Sequence, residues 1–474
     1  LSLHDALPIC DARELLAVSR DRYDTVMSEP SNPYRAGIAS LFTREFYQAV
    51  RQKLTSGGLF LQWIQTYEIQ PTDVENVCGT LASVFPVVEV WYTRAGDLFF
   101  ACALEPIKFD ADRLRHRIAQ EPFRSALAAV WRVTDLEGFL AHYISSNEFA
   151  REIASSPSRI LNTDDRTVME FNCGRHVGRL VFLDAREWLA RAARRGLDRP
   201  TIVNGTVDWS RLDDARATMF AVEGQPPSSD GEQDPALVRR TNAKAQFVRN
   251  NLEAAMAEWS AQTNAPTDLL ELLLVAESLA DAGNELALIY AERLRQWQPI
   301  EADVVLARLR WRQRRFEDAV AGLERVFRAY RSDPWPFPPL MYRALVLAES
   351  VSKESSNPEL ARRLHAALKE PFAVHLWDQV RLACRFNVAL DSISPSLLKE
   401  SIESFEPHVP WRRFFLEKRL LCYELLGDPR VVRARRDLEL FDKVRLAEHG
   451  KGATEVPRER PDSPIGTMDQ SQRP

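Results

Sequence analysis

Glu29 is the residue whose type and setting best suit chemistry. It lies in Ser28-Glu-Pro-Ser-Asn-Pro33, a turn-rich stretch whose two prolines stop any ladder or helix. Just before it, Tyr23-Asp-Thr-Val-Met27 reads as a short buried strand. A carboxylate at a strand end, walled by prolines, can accept a proton from an amine nucleophile or hold a cationic amine by charge. Ser31 and Asn32 add hydrogen-bonding groups to the same turn. On composition alone a carboxylate in a solvated turn is the commoner reading.

Other chemistries leave no trace. The chain has no GxSxG, P-loop or HExxH. Its six cysteines, at 10, 78, 102, 173, 384 and 422, form no CxxC pair and are widely spaced. No metal site or disulfide framework is expected, and a reducing compartment fits best. The eight histidines are scattered and read as surface or satisfied core residues.

The elements that must position Glu29 follow from periodicity. A helix is expected from about Thr43, which can cap it, with Phe46, Ala49, Val50 and Leu54 on its apolar face. Gly57-Gly58 is expected to end that helix and lead into a strand over Leu59-Phe-Leu-Gln-Trp63. Thr72-Asp-Val-Glu75 has the form of a capping box. Val74, Val77, Cys78, Leu81, Val84 and Phe85 fall on one face of the helix it would start, and Pro86 stops it. Val87 to Thr93 and Leu98 to Leu104 flank a turn at Arg94-Ala-Gly-Asp97 and read as a β-hairpin. This order implies a parallel sheet, covered on both faces, with an antiparallel edge. Such sheets bind ligands beyond the carboxyl ends of their strands, where the Glu29 turn sits.

Residues 10–175 are read as one domain with a helical extension from 105, and residues 176–235 as a connecting segment. That segment holds a strand near 177–183 and a Pro/Gly/Ser-rich linker over Glu223 to Pro235. Residues 236–448 are nearly all helical. Ala287, Ala291 and Leu294 recur after 32 residues as Ala319, Leu323 and Val326, small and apolar residues that let paired helices approach closely. A third hairpin is expected around Leu420 to Leu438, turning at Gly427-Asp428-Pro429. Trp297, Trp311, Trp335 and Trp377 can serve a binding surface, though at helical spacing aromatics more often build core. Residues 449–474 are polar and Pro-rich, and disorder is expected there.

The chain has 474 residues, 45% apolar and 27% charged, with net charge -5. Such a balance gives no reason to expect nucleic acid as a partner or general membrane attraction. No apolar run reaches the roughly 18–20 residues that span a bilayer. Leu1 to Ile9 has the look of a non-native leader and is left out of fold reasoning. If so, the natural chain extended further upstream.

The run Tyr23 to Pro33, with Ser40-Leu-Phe-Thr-Arg-Glu-Phe-Tyr47, Gly57-Gly58, Gln62 and the upstream Asp11-Ala-Arg-Glu-Leu-Leu16, resembles the spermidine/spermine synthase family. These are polyamine aminopropyltransferases with a Rossmann-like, methyltransferase-type fold. The resemblance implies that Glu29 stands where the family has its aspartate base, and Asn32 where it has a second aspartate. It places Asp11 at the aspartate that contacts the adenine amine, with Ala12 where glycine is usual. Ala36 falls at a proline lining the nucleoside pocket, and Gln62 joins the substrate-binding set. Asn162-Thr-Asp-Asp-Arg166 and Glu170 resemble a downstream motif of bacterial relatives, read as a loop capping the domain. The helical half resembles degenerate tetratricopeptide repeats, with a protein or peptide as partner.

The expected class is thus a partial Rossmann-like α/β domain followed by an all-α repeat domain. Its implied reaction is aminopropyl transfer from decarboxylated S-adenosylmethionine to a small-molecule amine. Two alternatives stand beside it: an S-adenosylmethionine-dependent methyltransferase-like enzyme, and a non-enzymatic repeat scaffold. No Gly-rich strand-to-helix turn precedes Asp11, and no acidic residue is placed to bind ribose hydroxyls. The chain is therefore expected to be a piece of its parent that binds the co-substrate poorly and is inactive by itself. The location expected is the cytoplasm, or the cytoplasmic part of a membrane-anchored parent if upstream segments span the bilayer.

Overall fold

The computed structural model describes residues 11–35, 37–94, 96–223 and 235–449. The chain divides into two units, Leu1–Ala245 and Gln246–Pro474. The leader, the tail from 450, Ala36 and residues 224–234 of the linker lie outside the described residues.

The first unit opens with helix α1 (Ala12–Val18) and strand β1 (Tyr23–Ser28). Helix α2 (Arg44–Lys53) starts where Thr43 Oγ1 accepts the Phe46 N–H at 3.4 Å, as its residue type predicts. Phe46, Tyr47 and Val50 bury its inner face. Strand β2 (Leu54–Gln65) follows without a turn. Gly57-Gly58 therefore lies inside the strand and not at the helix end expected for it. The pairing with β1 jumps from Tyr23↔Leu54 to Thr25↔Leu59, a wide bulge. Gly57 takes φ +78, and a Cβ on Gly58 would lie 3.0 Å from the Tyr23 carbonyl oxygen, so the glycines permit the bulge.

Helix α3 (Pro71–Ala82) also departs from expectation. Its N-cap is Gln70, with no side-chain cap bond, and Pro71 occupies the first turn, where a missing N–H costs nothing. The Thr72–Glu75 capping box does not form. Glu75 instead binds two guanidiniums, Arg159 at 2.6 Å and Arg191 at 2.7 Å, which outweigh one backbone N–H as partners for a nearly buried carboxylate. The expected apolar face is buried: Val74, Val77, Cys78 and Leu81 are all fully covered.

Strands β3 (Val87–Arg94) and β4 (Asp97–Ala103) pair as the expected hairpin. After β5 (Phe109–Asp110) comes β6 (Tyr143–Ser145), and the sheet order is β1-β2-β4-β3-β6. Only β1 and β2 are parallel; the other three pairs are antiparallel. The sheet is mixed and mainly antiparallel, where a parallel sheet with only an antiparallel edge was expected, because the hairpin inserts beside β2 and fills the middle. One face packs on α2 and on the segment that follows α3: the Phe60 ring of β2 lies between those of Phe46 and Phe85, with ring centroids 6.3 and 5.6 Å away. No strand forms over 177–183. A single bridge, Tyr67↔Phe182, ties that segment to the sheet, and the short strand β7 (Ile202–Asn204) lies further on, paired with β5.

Glu89 on β3 is an unused buried carboxyl. It is 5% exposed, its Oε2 has no hydrogen-bond partner, and burial, helped by Glu148, pushes it up to about 8. A carboxyl raised on folding stays protonated in the native state while the unfolded chain ionises. Stability from this group is therefore greatest below about pH 4.5 and is lost progressively as pH rises toward 8. Glu89→Gln, which keeps the neutral shape, is expected to raise the melting temperature of the first unit at pH 8. Melts across this range check it, and a variant as pH-sensitive as the parent contradicts it.

The second unit is all helical in its described residues. Helix pairs Leu269–Asp281 with Ala287–Arg295, and Pro299–Arg312 with Phe316–Tyr330, stack in sequence order. Ala287, Ala291 and Leu294, and their counterparts Ala319, Leu323 and Val326, are all buried. Gly322 shows why small residues serve there: a Cβ on it would lie 3.1 Å from Ala307 Cβ on the facing helix. The last pair, Arg413–Leu425 and Val431–His449, turns through Gly427 at φ +61. Trp335 is exposed, and Trp297, Trp311 and Trp377 are half-buried, so none of the four sits wholly in a core. No helix among the described residues is long and apolar enough to cross a membrane.

Candidate active site

The carboxyl ends of β1 and β2 form one lip. Ser28 ends β1, buried and in register with Gln62. The chain then leaves the sheet, so Glu29 emerges exposed while Pro30 and Pro33 pack down. Ser31 is exposed, and Asn32 is partly buried, with its Nδ2 donating to the Tyr34 hydroxyl at 2.9 Å. That bond occupies the Asn32 amide within the turn. Gln62 is wholly buried; its Nε2 donates to the Trp63 carbonyl at 2.9 Å and its Oε1 has no partner.

Asp11 caps α1, accepting from the N–H groups of Arg13 (2.8 Å) and Glu14 (3.3 Å). Ala12 is the first residue of that helix and is exposed. Arg13 donates to the Ser40 carbonyl at 3.1 Å and Lys53 to the Ser19 carbonyl at 2.5 Å. The helix therefore starts near the segment that follows the Glu29 turn and ends near the close of α2. Ala36 lies outside the described residues. The Asn162–Arg166 loop clasps this end: Arg13 pairs with Asp164 at 2.5 Å, and Asn162 is buried, accepting from Met169 N–H and donating to the Ala39 carbonyl. Arg13 holds Asp164 below the usual carboxylate range.

Four residues near the lip were not singled out from the sequence. Asp97 accepts from Trp63 Nε1 at 3.1 Å, and its carboxyl is raised, first by burial and further by the charge of Glu29. Gln65 is wholly buried with Oε1 unpartnered. Tyr67 lies over Gly96, where a Cβ would come 3.2 Å from its ring. Asp73 on α3 accepts from Asn172 at 2.7 Å, has Oδ2 unpartnered, and is raised by burial. The period-two alternation from Trp63 through Gln65 was the signal available for Gln65 and Tyr67. Strand register supplies the rest. Among the described residues no group of three or more His, Cys, Asp or Glu is placed to hold a metal ion.

A family model described as spermine/spermidine synthase domain matches residues 5–95. The chain is 32% identical over 139 residues to a polyamine aminopropyltransferase of Synechococcus sp. (strain JA-3-3Ab), covering 27% of this chain and 44% of that protein. A second polyamine aminopropyltransferase, of Synechococcus sp. (strain JA-2-3B'a(2-13)), is 30% identical with the same coverage. The chain thus spans less than half the length of the curated relatives it matches. No solved structure matches it. The mixed sheet and its Glu29 lip fall within the matched part, and there this chain is similar to the spermine/spermidine synthase domain.

Proposed function

We propose that this chain carries the amine side of an aminopropyltransferase site, with decarboxylated S-adenosylmethionine as co-substrate and a small-molecule amine as acceptor. The carrying observation is the Glu29 carboxylate, exposed one residue past the end of β1, where Ser28 pairs with the buried Gln62, whose Oε1 lacks a donor. Transfer requires a neutral amine nucleophile. Glu29 accepts a proton from the acceptor ammonium, and the freed lone pair attacks the methylene carbon bonded to the sulfonium. The carbon–sulfur bond breaks, the thioether leaves, and the aminopropyl group stays on the amine. Proximity at the lip and removal of the proton are what the protein contributes here.

Asp11, whose Oδ1 caps α1, is proposed to read the adenine amine, with Ala12 and Ala36 lining the nucleoside. Ser31, Asn32 and Gln62 are proposed as amine contacts. The Gly-rich turn that cradles the nucleoside in such folds is not among these 474 residues. Turnover is accordingly proposed for a polypeptide that also carries that turn, and none for this chain by itself. The helical unit, with its buried small-residue repeat, is proposed to bind a protein or peptide. The deciding experiment is a mass-spectrometric product assay of a polypeptide that joins this chain to such a turn, with decarboxylated S-adenosylmethionine and a panel of amines. An aminopropylated product is expected. Methylated product with S-adenosylmethionine instead, or no product with any amine, overturns the proposal.

A further inference from the structure

The stretch Phe171-Asn-Cys-Gly-Arg-His-Val-Gly-Arg-Leu-Val-Phe182 runs from the helix over Val168–Gly174 toward the helix over Ala185–Ala193. It is anchored at several points. Cys173 and Leu183 are buried, the Leu183 N–H donates to the Thr66 carbonyl at 2.8 Å, and Phe182 bridges to Tyr67. Between them Gly178, at φ +73, donates its N–H to Glu68 Oε1 at 2.8 Å. These contacts fix the backbone and leave the side chains out. Leu180 is 97% exposed, Phe171 68%, Phe182 60% and Val177 46%. A single exposed leucine is ordinary, but four large apolar side chains held out on one short loop mark a contact surface.

The charge of the loop says what it meets. The stretch carries Arg175, His176 and Arg179 and no acidic residue. Arg175 and Arg179 are exposed, and neither forms an ion pair among the described residues. Nearby acids are engaged: Glu68 by Gly178, Asp184 by Arg186 at 2.8 Å, and Asp73, buried, by Asn172. Glu170 and Glu187 lie on the helices to either side. The whole chain has net charge -5, but charges beyond about 8 Å are screened at physiological salt, so the local guanidiniums govern. Exposed apolar side chains interleaved with unpaired guanidiniums match the boundary of an anionic bilayer. Leu180 and Phe182 leave water for the acyl boundary while Arg175 and Arg179 stay at the phosphates. A protein partner fits less well, since a stable interface buries about 800 Å² on each side, more than four side chains supply.

We propose that residues 171–182 form an interfacial loop that docks the first unit on the surface of a bilayer containing anionic lipid. Docking does not depend on the transfer reaction and survives its absence. Co-sedimentation of the whole chain with vesicles of phosphatidylcholine, alone or mixed with phosphatidylglycerol, tests it. Binding is expected to the mixed vesicles, about tenfold or more tighter than to phosphatidylcholine, and to weaken as salt rises. The paired change Leu180→Ser and Phe182→Ser, and separately Arg175→Gln with Arg179→Gln, should each weaken binding about tenfold or more. All four positions are exposed, and circular dichroism melts establish that the variants fold. No binding to mixed vesicles, equal binding to both kinds, or binding that survives either pair of changes overturns the proposal. Light scattering covers the remaining occupant. If Leu180→Ser with Phe182→Ser abolishes self-association and spares vesicle binding, the loop belongs to a second copy, and the bilayer assignment is wrong.

Discussion

Glu277→Ala is expected to destabilise the helical unit by about 3–5 kcal/mol, the cost of leaving buried charge unpaired. Glu277 is 0% exposed and lies between two guanidiniums. Arg343 donates to both its oxygens, at 2.9 and 2.7 Å, and Arg308 approaches at 3.2 Å. Arg343 is itself buried, bonded to the Phe247 carbonyl and Asn250 Oδ1, with its guanidinium 4.4 Å from the centre of the Phe247 ring. Removing the carboxylate leaves Arg343 with no anion, whereas Arg308 keeps Asp281 at 2.8 Å. For a unit of this size that loss corresponds to a fall of roughly 10 °C in melting temperature. The Glu277→Gln variant, which keeps the shape but loses the charge, should fall between. A Glu277→Ala protein that melts within about two degrees of the parent would show that the triad relaxes or fills with water, and the assignment would be wrong.

Glu29→Gln is expected to cut aminopropyl transfer by about 10²–10⁴-fold, the usual contribution of a positioned general base. Glutamine matches the size of glutamate and still accepts a hydrogen bond, so an amine can dock. It takes no proton from an ammonium. The loss should therefore fall mainly on kcat, with a smaller rise in KM. The substitution is exposed and outside any core contact, so the fold should be untouched. The measurement belongs in a polypeptide that joins this chain to a nucleoside-binding turn. Turnover within threefold of the parent would exclude Glu29 as the base and leave it as one charge among several at the lip.

Much of the first unit was legible because its signals are local. Thr43 three residues before Phe46 marks the start of α2, and the burial of Val74, Val77, Cys78 and Leu81 follows from their spacing. The Val87–Thr93 and Leu98–Leu104 hairpin closes over a four-residue turn and needs no distant partner to be recognised. The errors share a cause. The Thr72–Glu75 box was locally plausible, but Glu75 is claimed by Arg159 and Arg191, the latter 116 residues away. Gly57-Gly58 looks like a helix stop, yet β1 needs the bulge they allow.

What the sequence determined by itself was the placing of a carboxylate after a short strand and just before Pro30 and Pro33, and the resemblance on which its proposed role rests. It also determined the helical pairing of the second half, through the recurrence of Ala287 as Ala319 and of Leu294 as Val326. Tertiary structure alone decided that the hairpin enters beside β2, that the sheet is mainly antiparallel, and that Asp97 stands opposite Gln65 at the lip where β1 and β2 end. The physical reason is range. Caps and amphipathic faces are decided within a few residues, whereas strand order is decided by which edge buries most apolar surface, and no single segment contains that comparison.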